Sequence, residues 1–249
     1  MKRRKWITVC FVLALAAMAA LWPEVPAWTS GGTNSVKTRS VSYDGQIALD
    51  PEAATLVSVL GDSHVSGSLS EKGSLPFGRV LDEALGNQTT VKLYARGGDT
   101  APMGEDRWAD IERRADIVIL AYGTNDAAPR GWLRARKPLE IAQFKASLTR
   151  HIEGWQRSGS QVLLLAPPPG GSAATARRLA PYRRAVASLG KIHNVPVIDP
   201  VDAFDRCEAG QPVLVLDALH MNADGHRCLG EWIARKLADR LATHGAPKG

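Results

Sequence analysis

The hydrophobic positions along this chain fall into runs of two alternating kinds. Short apolar stretches rich in β-branched residues occur at Val57-Ser58-Val59-Leu60, Ile117 to Tyr122 and Val162 to Ala166. Each ends abruptly at Gly, Asp, Asn or Pro, as buried strands do. Val91-Lys92-Leu93-Tyr94-Ala95 alternates like a strand, and Val195 to Ile198 predicts a fifth. Between them lie segments with apolar residues three and four apart. Residues 76–86 predict a helix stopped by Gly86. Residues 105–114 predict a short helix carrying Trp108 and Ile111 inward. Residues 139–158 predict an amphipathic helix with Ile141, Phe144, Leu148, Ile152 and Trp155 on one face and Gly159 as its stop. Helices are also expected over 174–193 and 224–244, the last burying Leu229, Trp232, Ile233, Leu237 and Leu241. Strands alternating with helices imply parallel pairing with helices on both faces, a three-layer α/β/α sandwich.

The N-terminus departs from this pattern. Lys2, Arg3, Arg4 and Lys5 precede a stretch from Trp6 to Trp22 with no charge, the signature of an export segment. Its length stands at the lower edge of what spans a bilayer, so residues 1–27 read either as a cleaved signal peptide or as an uncleaved membrane anchor. Either way the charges stay on the cytoplasmic side and the rest is expected to be exported, to the periplasm or beyond. Residues 28–52, rich in Gly, Ser and Thr, read as a linker and lead-in, leaving residues 53–249 as one folded domain. The cluster at residues 2–5 also explains much of the formal charge of +6 on 249 residues. With no basic stripe interleaved with aromatics, nucleic acid is not an expected partner.

Ligands of such sheets bind beyond the carboxyl ends of the strands. The loops falling there are Gly61-Asp62-Ser63, Gly97-Gly98-Asp99 and Gly123-Thr124-Asn125-Asp126. A fourth block, Asp217-Ala218-Leu219-His220, sets an acid three residues before a histidine ahead of the last helix. A serine hydroxyl holds its proton too tightly to attack unaided, and an imidazole, titrating near 6.5 in water, is suited to take that proton and return it.

In this order the four blocks resemble the SGNH or GDSL hydrolase superfamily, over residues 54–243. The resemblance implies a flavodoxin-like, parallel five-stranded sheet and ester hydrolysis by a serine esterase without a cofactor, and the histidines and acids lack the grouping that zinc sites use, so no metal is expected. It makes Ser63 the nucleophile, His220 the base and Asp217 the residue that orients it. The oxyanion donors would be the Ser63 and Gly98 amides and the Asn125 side chain. His64 stands where many relatives carry Leu and reads as a residue lining the pocket. The Gly-x-Ser-x-Gly elbow of α/β-hydrolases is absent around Ser63.

The remaining histidines, His151, His193, His226 and His244, read as structural, with His226 a surface or capping residue. Cys207 and Cys228 are the only cysteines after the N-terminal segment. An oxidising compartment favours a disulfide between them, closing the stretch that holds Asp217 and His220, while two buried thiols are the alternative. The expected partner is an ester, and the polar loops at Ser66 to Ser74 and Gly170 to Ser172 favour short acyl groups, such as acetyl on a polysaccharide. Trp132 could stack a sugar ring, with Arg134 and Arg136 meeting acidic glycans, or could equally serve core or surface packing. A lysophospholipase or thioesterase, or an O-acyltransferase acting on a glycan, would use the same residues.

Overall fold

The computed structural model describes residues 32–47, 54–108, 111, 114–127, 137–207 and 211–244. Residues 1–27, expected from their sequence to direct export, and Trp132, Arg134 and Arg136 lie outside them. Within the described residues the elements run β1 (Thr55–Gly61), α1 (Ser63–Ser66), α2 (Phe77–Leu85), β2 (Thr89–Ala95), α3 (Ala101–Arg107), β3 (Ile117–Ala121), α4 (Thr124–Ala127), α5 (Ile141–Arg157), β4 (Gln161–Leu165), α6 (Ala173–His193), β5 (Val197–Ile198), α7 (Pro200–Phe204) and α8 (Ala223–His244). The five strands form one sheet in the order β2-β1-β3-β4-β5, and all four pairings are parallel. This is the three-layer sandwich that the alternation of strands and helices implies.

Successive side chains of a strand point to opposite faces, and the core divides accordingly. Val57, Val59, Ile117, Ile119, Leu163 and Leu165 meet Phe77 and Leu81 of α2 and Leu229, Ile233 and Leu237 of α8. Leu60, Val118, Leu120, Val162 and Leu164 meet Phe144, Leu148, Ile152 and Trp155 of α5 and Leu179, Val186 and Leu189 of α6. Strands buried on both faces read as continuous apolar runs, which is why β1, β3 and β4 stand out in the sequence.

Three local expectations differ from the structure. The helix expected from Glu105 spans Ala101–Arg107, because Thr100 caps it by accepting from the Met103 amide and Pro102 suits a first turn. The loop after β1 opens with the helical turn of α1, and α7 follows β5 with Asp199 as its cap. Third, residues 32–47, whose composition suggests a linker, lie along the domain. Tyr43 pairs antiparallel with Val197, covering the β5 edge of the sheet. Thr33 pairs with Leu214, and the Val36 amide donates to Gly170 O at 2.8 Å.

Asp199 fastens this strap. Its Oδ2 accepts from the Val41 amide at 2.7 Å and from Arg183 at 2.5 Å, and its Oδ1 accepts from the Val201 amide at 3.0 Å. Arg183 also donates to Pro167 O at 2.5 Å, so one buried ion pair joins strap, α6, α7 and the loop after β4. Burial raises the Asp199 carboxyl, opposed by the Arg183 charge and the hydrogen bonds from Val201, Val41 and Arg183. A buried pair is retained where its remaining polar atoms are also satisfied, as they are here.

Candidate active site

Ser63 opens α1 directly after β1. Asp62 caps the turn, its Oδ1 accepting from the His64 amide at 2.9 Å, which fixes Ser63 as the first residue of the turn beyond the end of β1. The Asp217 and His220 side chains arrive on a hairpin, where Leu214 pairs with Met221 and the Val215 amide donates to His220 O at 2.9 Å. Ala218, at its tip, has φ of 58°, a left-handed conformation that Ala rarely adopts, and Ala218 O accepts from the Gly171 amide at 2.8 Å. Strap and disulfide brace the same hairpin. Thr33 and Leu214 exchange hydrogen bonds of 2.7 and 3.0 Å, and the Cys207–Cys228 bridge encloses it.

Side chains 157 residues apart in sequence meet here. His220 Nε2 lies 2.9 Å from Ser63 Oγ, and His220 Nδ1 lies 2.6 Å from Asp217 Oδ2. Asp217 Oδ1 accepts from the Leu219 and His220 amides at 2.8 and 2.9 Å. Burial pushes the Asp217 carboxyl up, but the His220 side-chain and backbone hydrogen bonds, the His220 charge and the Leu219 amide outweigh it and hold it at about 2. A carboxylate only accepts, so Nδ1 carries the hydrogen on the neutral ring and Nε2 is left to accept the Ser63 hydroxyl proton.

The loop after β2 stands beside this pair. Gly98 has φ of 87°, which a side chain at that position would resist. At Gly97 a Cβ would stand 3.8 Å from Ser63 Cβ, so the loop passes close to the hydroxyl. Asp99 anchors the loop through a bidentate pair with Arg107, Nε to Oδ2 at 2.7 Å and Nη2 to Oδ1 at 3.0 Å. Asp126 Oδ1 accepts from the Ala101 amide at 3.1 Å and so ties the loops after β2 and β3 together. Asn125 Nδ2 donates to Asp62 Oδ2 and to Asp99 O, both at 3.0 Å. Its two amide hydrogens are thus engaged, and a bound oxyanion would take one of them over.

The structure brings together Ser63, His220, Asp217, Gly98 and Asn125, the residues singled out in the sequence. His64 does not line an open surface. It is 4% exposed and its ring stacks on that of His220. His226 is no surface residue either. It is buried against Phe77 and caps α2, its Nδ1 accepting from the Phe77 amide at 3.2 Å, while burial and then the His220 charge lower it to about 4. Sequence reasoning undervalued Asp62. Burial raises its carboxyl to about 7, against the His64 amide, the His220 charge and the Asn125 amide. An Asp directly before a helical turn was the signal for its capping role; nothing local marks its bond to Asn125. Among the described residues no group of three or more His, Cys, Asp or Glu is placed to hold a metal ion.

Fold and site together define an α/β/α ester hydrolase. Over residues 59–228 the sequence matches the GDSL-like Lipase/Acylhydrolase family, and the chain belongs to it. Among solved structures it is similar to a lipase/acylhydrolase from Enterococcus faecalis, with 25% identity, TM-score 0.63, and 78% of this chain and 99% of that one covered. It is also similar to a catalytic mutant of an acetylxylan esterase from Geobacillus stearothermophilus, with 16% identity, TM-score 0.62, and coverage of 78% and 96%. A third likeness is to the aryl esterase of M. smegmatis, with 18% identity, TM-score 0.57, and coverage of 76% and 100%. No curated protein matches the chain.

Proposed function

We propose that the protein is an exported serine esterase that removes short acyl groups, acetyl above all, from a carbohydrate. The observation that carries the reading is the run of hydrogen bonds from Asp217 through His220 to Ser63. Ser63 Oγ bonds to the ester carbonyl carbon as its proton passes to His220 Nε2, and the carbonyl electron pair moves onto oxygen. The Ser63 and Gly98 amides and Asn125 Nδ2 receive that oxyanion. Collapse expels the alcohol, which takes the proton back from His220. Water then attacks the acyl-Ser63 by the same route and releases the acid. The small-residue loops around Ser66 to Ser74 and the acetylxylan esterase among the similar structures support the acetyl-carbohydrate reading.

A fluorophosphonate should label Ser63 covalently, and the Ser63→Ala protein should lose both label and ester hydrolysis. Acetyl and butyryl chromogenic esters should then be cleaved faster than octanoyl or longer ones. Labelling elsewhere, or wild-type rates in Ser63→Ala, would refute the assignment.

One observation favours a second reading, an acyl hydrolase for longer chains of the lysophospholipase or thioesterase kind. Leu69 is 63% exposed, Leu75 42% and Leu216 52%, and all three sit on the loops that follow Ser63 or precede Asp217. A preference for eight carbons or more in the same ester series would establish it.

A further inference from the structure

His64 is buried beside Ser63, yet among the described residues neither of its ring nitrogens has a hydrogen-bond partner. A buried imidazole ordinarily finds one. What is organised instead is its face. The ring stacks on His220 with centroids 5.2 Å apart and planes inclined by 22°. Burial first, then the nearness of the His220 and His226 imidazoles, which would repel a second proton, hold His64 well below its ordinary value against the pull of Asp217, so the ring is neutral at neutral pH.

The groups bearing on this ring pair come from three elements. Asp217, on the hairpin, is ionised and bonded to His220 Nδ1. His226, on α8, is neutral through burial and the His220 charge. Asp62, just before α1, is buried and acts electrostatically on His220, with its oxygens occupied by the His64 amide and Asn125. When the Ser63 proton arrives, His220 becomes a cation, flanked by a carboxylate at its Nδ1 edge and a neutral aromatic ring at its face. An aromatic face attracts a cation within about 6 Å of its centroid, and an aliphatic side chain does not.

We infer that His64 is a positioning residue whose ring face stabilises the imidazolium form of His220 during acyl transfer. This rests on His220 being the base.

The test is the rate of p-nitrophenyl acetate hydrolysis against pH in His64→Leu and His64→Phe. His64→Leu lowers kcat roughly tenfold, equivalent to about 1.4 kcal/mol and within the range of a desolvated cation–π contact, and leaves KM within about twofold. The acid limb of kcat/KM moves down by about one pH unit, because a less stabilised imidazolium loses its proton sooner. His64→Phe, which keeps a ring face and has nothing to titrate, restores both the rate and the limb. If His64→Leu does not fold, His64→Met is read in its place. Wild-type kcat and acid limb in the aliphatic variant would overturn the inference, as would equal impairment of the Leu and Phe variants. Wild-type hydrolysis by His220→Ala would overturn the role of His220 as base, and this inference with it.

Discussion

Opening the Cys207–Cys228 bridge should lower stability far more than it lowers the rate at room temperature. The two cysteines are 21 residues apart. Closing a loop of that size in the unfolded chain is worth about 3 kcal/mol by chain entropy. For a domain of this size each kcal/mol moves the midpoint by roughly 2–4 °C, so reduction should lower Tm by roughly 6–12 °C. The enclosed hairpin keeps other fastenings: Leu214 to Thr33, Val215 to His220 and Gly171 to Ala218. At 25 °C the reduced protein should therefore retain kcat within about threefold, since native contacts around Asp217 and His220 do not depend on the bridge. The assay is calorimetry with ester turnover on oxidised protein, on reduced and alkylated protein, and on the Cys207→Ala/Cys228→Ala double variant. Alanine is the right replacement at Cys228, which is buried. An unchanged Tm on reduction would refute the entropic account. A large loss of kcat at 25 °C with Tm intact would show that the bridge sets the geometry of the site.

Other expectations follow from single contacts. Asn125→Ala removes a donor to the oxyanion and should lower kcat by roughly two to three orders of magnitude with little change in KM. Asp217→Asn keeps the shape but can turn an amide toward His220 Nδ1, favouring the wrong tautomer, and should lower kcat by about three to four orders of magnitude. His226 sits at about 4 in the folded protein against 6.5 for the free side chain. The unfolded state thus binds the extra proton between those values. Stability from this group is complete above pH 6.5 and falls by up to about 3 kcal/mol as pH drops toward 4. His226→Gln offers an oxygen to the Phe77 amide without titrating, and its Tm should show less of that acid loss. A wild-type pH dependence of Tm in His226→Gln would refute the assignment.

The strands β1, β3 and β4 were legible because both faces of a parallel sheet are covered, so nearly every position is apolar, with Thr55, Ser58 and Gln161 the polar ones. The end of α5 was legible from Gly159, whose φ of 88° no other residue adopts as easily. The Ser63, Asn125 and His220 blocks were recognisable because each stands at the end of a strand or before a helix, where the chain must turn. Other features depend on residues that no local window contains. Thr33 pairs with Leu214, Arg183 with Asp199 and Asn125 with Asp62, and composition alone made residues 32–47 look like free chain. His64 misled for a related reason. A polar residue beside a nucleophile suggests contact with substrate, and only the packing shows its ring turned against His220.

The strap sets an order on folding. Val41 binds Asp199, 158 residues away, and Thr33 binds Leu214, so neither contact can form until most of the chain has left the ribosome. The Ser63 to His220 contact spans a similar separation. Loop closure over such distances is slow, and intermediates that lack these contacts leave the β5 edge open. The covering of that edge and the meeting of the reactive hydroxyl with its base therefore both wait on the C-terminal part of the chain. An incompletely synthesised chain has an unprotected sheet and no means of attacking an ester.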